Sequence, residues 1–166
     1  LEAISIGIGA VYQEFNLVPS LDISDNIYYG RELKKGLFND AARMRKECAE
    51  IFRSMGVDID PTAKVRDLSV GYQQIVEIAK WLNRDVKLLI LDEPTAPLTD
   101  NEIEVLFALV RRLKESGVTI IFITHRLEEL YRITDRVTVM RDGAYVATYR
   151  TEDTTKDLLV TAMVGR

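Results

Sequence analysis

The stretch KLLILDEPTAPLTD, residues 87–100, carries four apolar residues, Leu88 to Leu91, straight into two adjacent acids, Asp92 and Glu93, and then Pro94. A short continuous apolar run closed by polar and turn-forming residues reads as a strand buried on both faces of a sheet. Open parallel sheets bind ligands beyond the carboxyl ends of their strands, so the two acids stand where such a sheet does chemistry. Pro94 disfavours a helical backbone at Glu93, which predicts that Glu93 continues the extended line of the strand. Adjacent side chains on extended backbone face opposite sides, leaving one carboxylate for a metal ion and the other for a water. The plainer alternative is a pair of loop acids matched with surface cations.

Working outward, VTIIFIT (118–124) reads as a second buried strand, and His125, the single histidine of the chain, follows it directly. That position predicts that His125 reaches the same sheet edge as the acids, where an imidazole can hydrogen-bond a phosphate oxygen or a water. A structural role is the ordinary alternative for a lone histidine. IGAVY (8–12) reads as a further short buried strand ending at Gln13. DLSVGYQQ (67–74) leads into a helix carrying Ile75, Ile78, Ala79 and Leu82. Ser69 and Gly71 fall at the first turn of that helix, where free N–H groups and a close backbone approach suit a phosphate. The alternative there is an ordinary serine cap, worth about 1 kcal/mol.

Cys48, Ile51, Phe52 and Met55 mark an amphipathic helix from about Asp40, closed by Gly56. Ile103, Leu106, Val110 and Leu113 mark another, ended by Gly117. Asp22 or Ser24 are candidate caps of a short helix before them. A short helix near RLEELYRI, a hairpin of RVTVM and AYVATY around RDG, and a last helix in DTTKDLLVTAMV complete the pattern. Strands alternating with amphipathic helices predict an α/β fold, a parallel sheet covered on both faces, with a helical insertion over about residues 14–83.

With 166 residues and 47% hydrophobic content the chain has the size of one domain, and its formal charge of −4 gives no field for a broad nucleic-acid footprint. The lone Cys48 has no internal disulfide partner and fits a packed core. No apolar run is long enough for a membrane span. The chain opens on Leu1 inside an apolar stretch, which reads as the start of a piece whose natural beginning lies elsewhere.

LSVGYQQ, then LLILDEPTAPLT, then FITHR, in that order, resemble the ATP-binding cassette ATPases of ABC transporters. VYQEFNLVPSLDISDNIYYGRE and the terminal MVGR are similar to the first cassette of the duplicated ATPase subunits of bacterial importers of ribose, galactose and xylose. The resemblance covers essentially the whole chain. It implies a P-loop NTPase-like core, partial here, with a helical subdomain over about 14–83, an α/β core over 84–150 and a C-terminal helix over 151–166. It implies ATP and Mg²⁺ as ligands, with Asp92 and Gln13 on the metal side, Glu93 as general base, and His125 and Gln13 as catalytic partners near the nucleotide. Ser69 and Gly71 belong to the signature motif, which contacts the γ-phosphate held by an opposing cassette. APLT (96–99) occupies the D-loop at the contact between cassettes. The partners implied are a second cassette, transmembrane permease subunits and, indirectly, a periplasmic sugar-binding protein, with no nucleic acid. The location implied is peripheral, on the cytoplasmic face of the bacterial inner membrane.

Three departures qualify the match. Tyr72 stands where the signature has glutamine, Pro97 and Thr99 replace the commonest D-loop residues, and no G-x-x-x-x-G-K-[ST] occurs. In the family that loop lies upstream of Gln13. Without its lysine and backbone cradle the 166-residue chain alone is expected to have negligible ATPase activity. The alternative is a catalytically inactive, degenerate cassette acting as an interaction module. A third reading is a soluble ATPase of DNA repair or translation; the repair members carry long coiled coils, and no sustained heptads are present here.

Overall fold

The computed structural model describes residues 2–12 and 15–165. The chain divides into two compact units that meet in sequence between Ile123 and Thr124. The first contains α1 (Glu2–Ser5), β1 (Ile8–Val11), α2 (Ile23–Ile27), β2 (Lys34–Lys35), β3 (Phe38–Asn39), α3 (Ala41–Met55), a 3-10 turn (Val65–Asp67), α4 (Val70–Leu82), β4 (Leu88–Asp92), α5 (Asp100–Glu115) and β5 (Thr119–Ile123). The second contains α6 (Leu127–Ile133), β6 (Arg136–Arg141), β7 (Ala144–Arg150), a 3-10 turn (Thr151–Asp153) and α7 (Lys156–Val164).

The first unit is α/β, built on a parallel sheet of order β1-β4-β5. Leu88 pairs with Ile8 on one side and Thr119 on the other, and the register runs on to Leu91 opposite Val11 and Asp92 opposite Ile123. Parallel partners share a face, so Gly9, Val11, Leu89, Leu91, Ile120 and Phe122 form one surface of the sheet. Val11, Leu89 and Leu91 are fully buried there, and Phe122 meets Phe107 of α5 edge-on at 6.1 Å between ring centres.

Within the described residues the opposite face is less covered than a sheet buried on both sides would be. Ile8, Ala10, Leu88 and Ile90 are only half-buried, while Ile121 and Ile123 are each 45% exposed. KLLILD is therefore a one-sided strand, and VTIIFI an edge strand with alternating burial.

The helices form where their apolar spacing and caps agree. In α3, Met44, Cys48, Phe52 and Met55 recur on one face and are buried. The Asp40 carboxylate accepts the Arg43 N–H at 3.1 Å, and Gly56, at φ +74°, ends the helix as Val57 N–H donates to the Phe52 carbonyl at 3.0 Å. Burial pushes the Cys48 thiol up to about 12, so it packs as a small apolar residue. Asp22 precedes α2, but its carboxylate takes Lys64 at 3.1 Å and Arg45 at 3.3 Å in place of a helix N–H. β2 and β3 form a small antiparallel ribbon within the otherwise helical stretch between β1 and β4.

In the second unit β6 and β7 pair antiparallel around Asp142 and Gly143, whose φ values of 51° and 75° match the two left-handed positions of a type I′ turn. Leu127, Leu130, Val137, Val139 and Leu159 close its core. Among the described residues no helix is long and apolar enough to cross a membrane.

Candidate functional site

β4 delivers Asp92 as its last residue, at the carboxyl end of the middle strand. Glu93 departs from the extended conformation expected of it: its φ is +44°, in the left-handed region. Its N–H still completes the ladder, donating to the Ile123 carbonyl at 2.9 Å, while its own carbonyl accepts the Ala96 N–H at 3.2 Å. The chain thus leaves the sheet and enters a turn within one residue. Pro94 takes the first central position of that turn, for which its fixed φ is suited, and Pro94 and Thr95 are buried. The turn overrides the preference that proline imposes on its predecessor. A left-handed non-glycine residue costs about 1–2 kcal/mol, and such strain concentrates at functional sites. The carboxylates of Asp92 and Glu93 are therefore divided by a sharp backbone turn, and the strand alternation argument does not apply to them.

Ser69 and Gly71 stand at the start of α4, as the spacing predicts. Ser69 occupies the N-cap position with its side chain turned away from its own helix. Its hydroxyl donates to Glu102 Oε1 at 2.6 Å, and the Gly71 N–H donates to the same oxygen at 3.3 Å. Glu102 lies in the first turn of α5, where its other oxygen, Oε2, accepts the Thr99 N–H at 3.0 Å and the Thr99 hydroxyl at 2.9 Å. The Thr99 hydroxyl in turn accepts the Glu102 N–H at 3.4 Å, completing a capping box. The Ser69 hydroxyl first, and then the Thr99 donors, hold the Glu102 carboxyl down at about 2. The sequence reading missed Glu102. The signal was present in TDNE ahead of an apolar helical run, the usual form of a capping box, although nothing in that string points to Ser69.

α4 is pinned at its other end to the strand that precedes Gln13. Trp81 Nε1–H donates to the Ala10 carbonyl at 3.0 Å, and Lys80 Nζ to the Asn16 carbonyl at 2.8 Å. Gln13 itself lies outside the described residues. His125 is exposed and belongs to the second unit, two residues past the end of β5. Its loop is tied to the first turn of α6: Thr124 Oγ1 donates to Glu129 Oε2 at 2.8 Å and accepts the Arg126 N–H at 2.9 Å.

Among the described residues no cluster of three or more His, Cys, Asp or Glu could hold a metal by itself. A lone carboxylate such as Asp92 still suits Mg²⁺, which keeps several waters and is completed by substrate phosphates.

The family described as ABC transporter matches residues 1–96. The chain is 52% identical, over 99% of its length, to the ribose import ATP-binding protein RbsA 2 of Burkholderia ambifaria, covering 33% of that protein. It is 48% identical to the ribose import ATP-binding protein RbsA 1 of Streptomyces avermitilis, over 98% of this chain and 31% of that one. The chain thus spans about a third of the length of these relatives. Among solved structures, an ATP-binding cassette of an ABC transporter in its ADP conformation superposes with a TM-score of 0.80 at 24% identity, over 99% of this chain and 71% of that one. The cbiO1 subunit of a Clostridium perfringens ABC transporter complex superposes at 0.76 with 27% identity, over 93% and 61%. With the motifs in order along the chain, the parallel sheet ending in Asp92, and the family match over more than half its length, the chain belongs to the ATP-binding cassette family of ABC transporters.

Proposed function

We propose that this chain is part of the ATP-binding and hydrolysing subunit of a monosaccharide importer, working as one of two paired cassettes against a membrane permease. The observation that carries the reading is the pair Asp92 and Glu93 at the mouth of the parallel sheet, the second held in a left-handed turn. The names of the relatives, ribose import ATP-binding proteins, supply the substrate class. On this reading Asp92 would hold Mg²⁺, which would supply charge neutralisation at the phosphates. Glu93, in the turn just past the strand end, takes the proton of the attacking water. His125 and Gln13 orient the water and phosphate. Ser69 and Gly71 give a hydroxyl and an N–H to the γ-phosphate of the nucleotide on the facing cassette. The helical stretch of about 14–83 docks on the permease, the paired cassettes sit peripherally on the cytoplasmic face of the membrane, and a periplasmic sugar-binding protein delivers the sugar. Turnover belongs to the full-length protein, since the 166 residues hold no G-x-x-x-x-G-K-[ST].

The test is Glu93→Gln in the full-length polypeptide that contains these residues. ATP binding is expected to persist while turnover falls by about 10²–10⁴-fold, the usual weight of a general base. Near-normal turnover in that variant rejects the assignment.

A further inference from the structure

Glu102 is shared by two helix starts. Oε2 closes the capping box of α5 on Thr99, and Oε1 receives both Ser69 Oγ and Gly71 N. The place is shaped for it: a Cβ added at Gly71 would stand 2.7 Å from the Glu102 carboxyl carbon and from Oε1. A serine hydroxyl has one proton to donate, so while Ser69 donates to Glu102 it cannot donate to another acceptor. A carboxylate and a phosphate oxygen compete for the same donors.

We propose that Glu102 is a positioning residue that holds Ser69 and Gly71 of the signature segment, its carboxylate standing where a γ-phosphate oxygen of the facing cassette must arrive. This rests on the reading of Ser69 and Gly71 given above. Incoming phosphate displaces Oε1 from Ser69 and Gly71, while Oε2 stays on Thr99. The same carboxylate therefore links nucleotide engagement at the signature to the first turn of α5 and the 96–99 segment before it. The clamp acts as a tax on ATP affinity: only the fraction of molecules with Glu102 released can accept phosphate.

The experiment is steady-state ATPase kinetics and thermal unfolding on the full-length polypeptide with Glu102→Gln, Glu102→Asp and Ser69→Ala. Glutamine keeps the shape and removes the charge. Aspartate keeps the charge at the start of α5 but is one methylene too short to reach Ser69. Both are expected to lower the KM for ATP by about three- to tenfold, the clamped population being released, with kcat changed far less. A purely structural role lowers the unfolding temperature and leaves KM unchanged or raised. If both variants do that while Ser69→Ala raises KM, the clamp is overturned and the role of Ser69 in ATP use stands. If Ser69→Ala leaves ATP use untouched, the signature reading fails and the clamp falls with it.

Discussion

Glu93 is the residue at which local preference and tertiary demand disagree. A residue before proline favours extended backbone, yet Glu93 sits at φ +44° because its N–H is committed to β5 and its carbonyl to the turn. The strain separates from the chemistry in a pair of variants that both lack the carboxylate. Glu93→Gly should be more stable than Glu93→Ala by about 1–2 kcal/mol, because glycine enters the left-handed region without the Cβ penalty. Equal denaturant midpoints for the two would show that the turn relaxes when the side chain is cut. Neither variant should turn over ATP in the full-length protein.

At the scale of elements, the signature helix α4 is located by contacts at both ends. Ser69 and Gly71 meet α5 through Glu102, and the Trp81 indole N–H donates to the Ala10 carbonyl of β1. Gly9 is what admits the indole: a Cβ there would stand 2.6 Å from Trp81 Cδ2. Gly9→Ala is therefore expected to cost about 1–3 kcal/mol by overpacking, read as a lowered urea midpoint. An unchanged midpoint would mean that the indole moves freely and does not anchor α4. The helical spacing of Ile75, Ile78 and Ala79 already announces a buried face for α4, and all three are buried. The partners of its polar first turn are not legible in that way. A serine before a helix reads equally well as a cap for its own N–H groups, and only the approach of α5 sends the hydroxyl to Glu102.

At the scale of the whole molecule, the first unit carries a parallel sheet whose face along Gly9, Val11, Leu89 and Leu91 is buried and whose other face, along Ile8, Leu88, Ile90, Ile121 and Ile123, is less covered. In the 166-residue chain taken alone, exposed apolar sheet surface beside the β5 edge favours association. Ile121→Thr keeps a β-branched side chain on the strand and is expected to reduce aggregation and binding of a hydrophobic dye, with stability changed by less than about 1 kcal/mol. A large loss of stability would show that Ile121 is packed and not exposed. The second unit closes its own core around Leu127, Leu130, Val137, Val139 and Leu159.

Unlike α1 and the β2–β3 ribbon, the main strands and amphipathic helices, the hairpin at Asp142–Gly143, the Gly56 terminator and the placing of Asp92 at a strand end were readable from the chain. Each depends on local periodicity or on the backbone freedom of one or two residues, and those are properties of neighbouring side chains. Three things were decided only in three dimensions: which face of β4 and β5 is covered, the left-handed turn at Glu93, and the meeting of Glu102 with Ser69 and Gly71. The physical reason is common to them. Burial, strain at a strand end and the choice of a hydrogen-bond partner depend on segments about thirty residues away, as Ile123 is from Glu93 and Glu102 from Ser69, and a one-dimensional pattern does not encode which distant donor will reach an acceptor first.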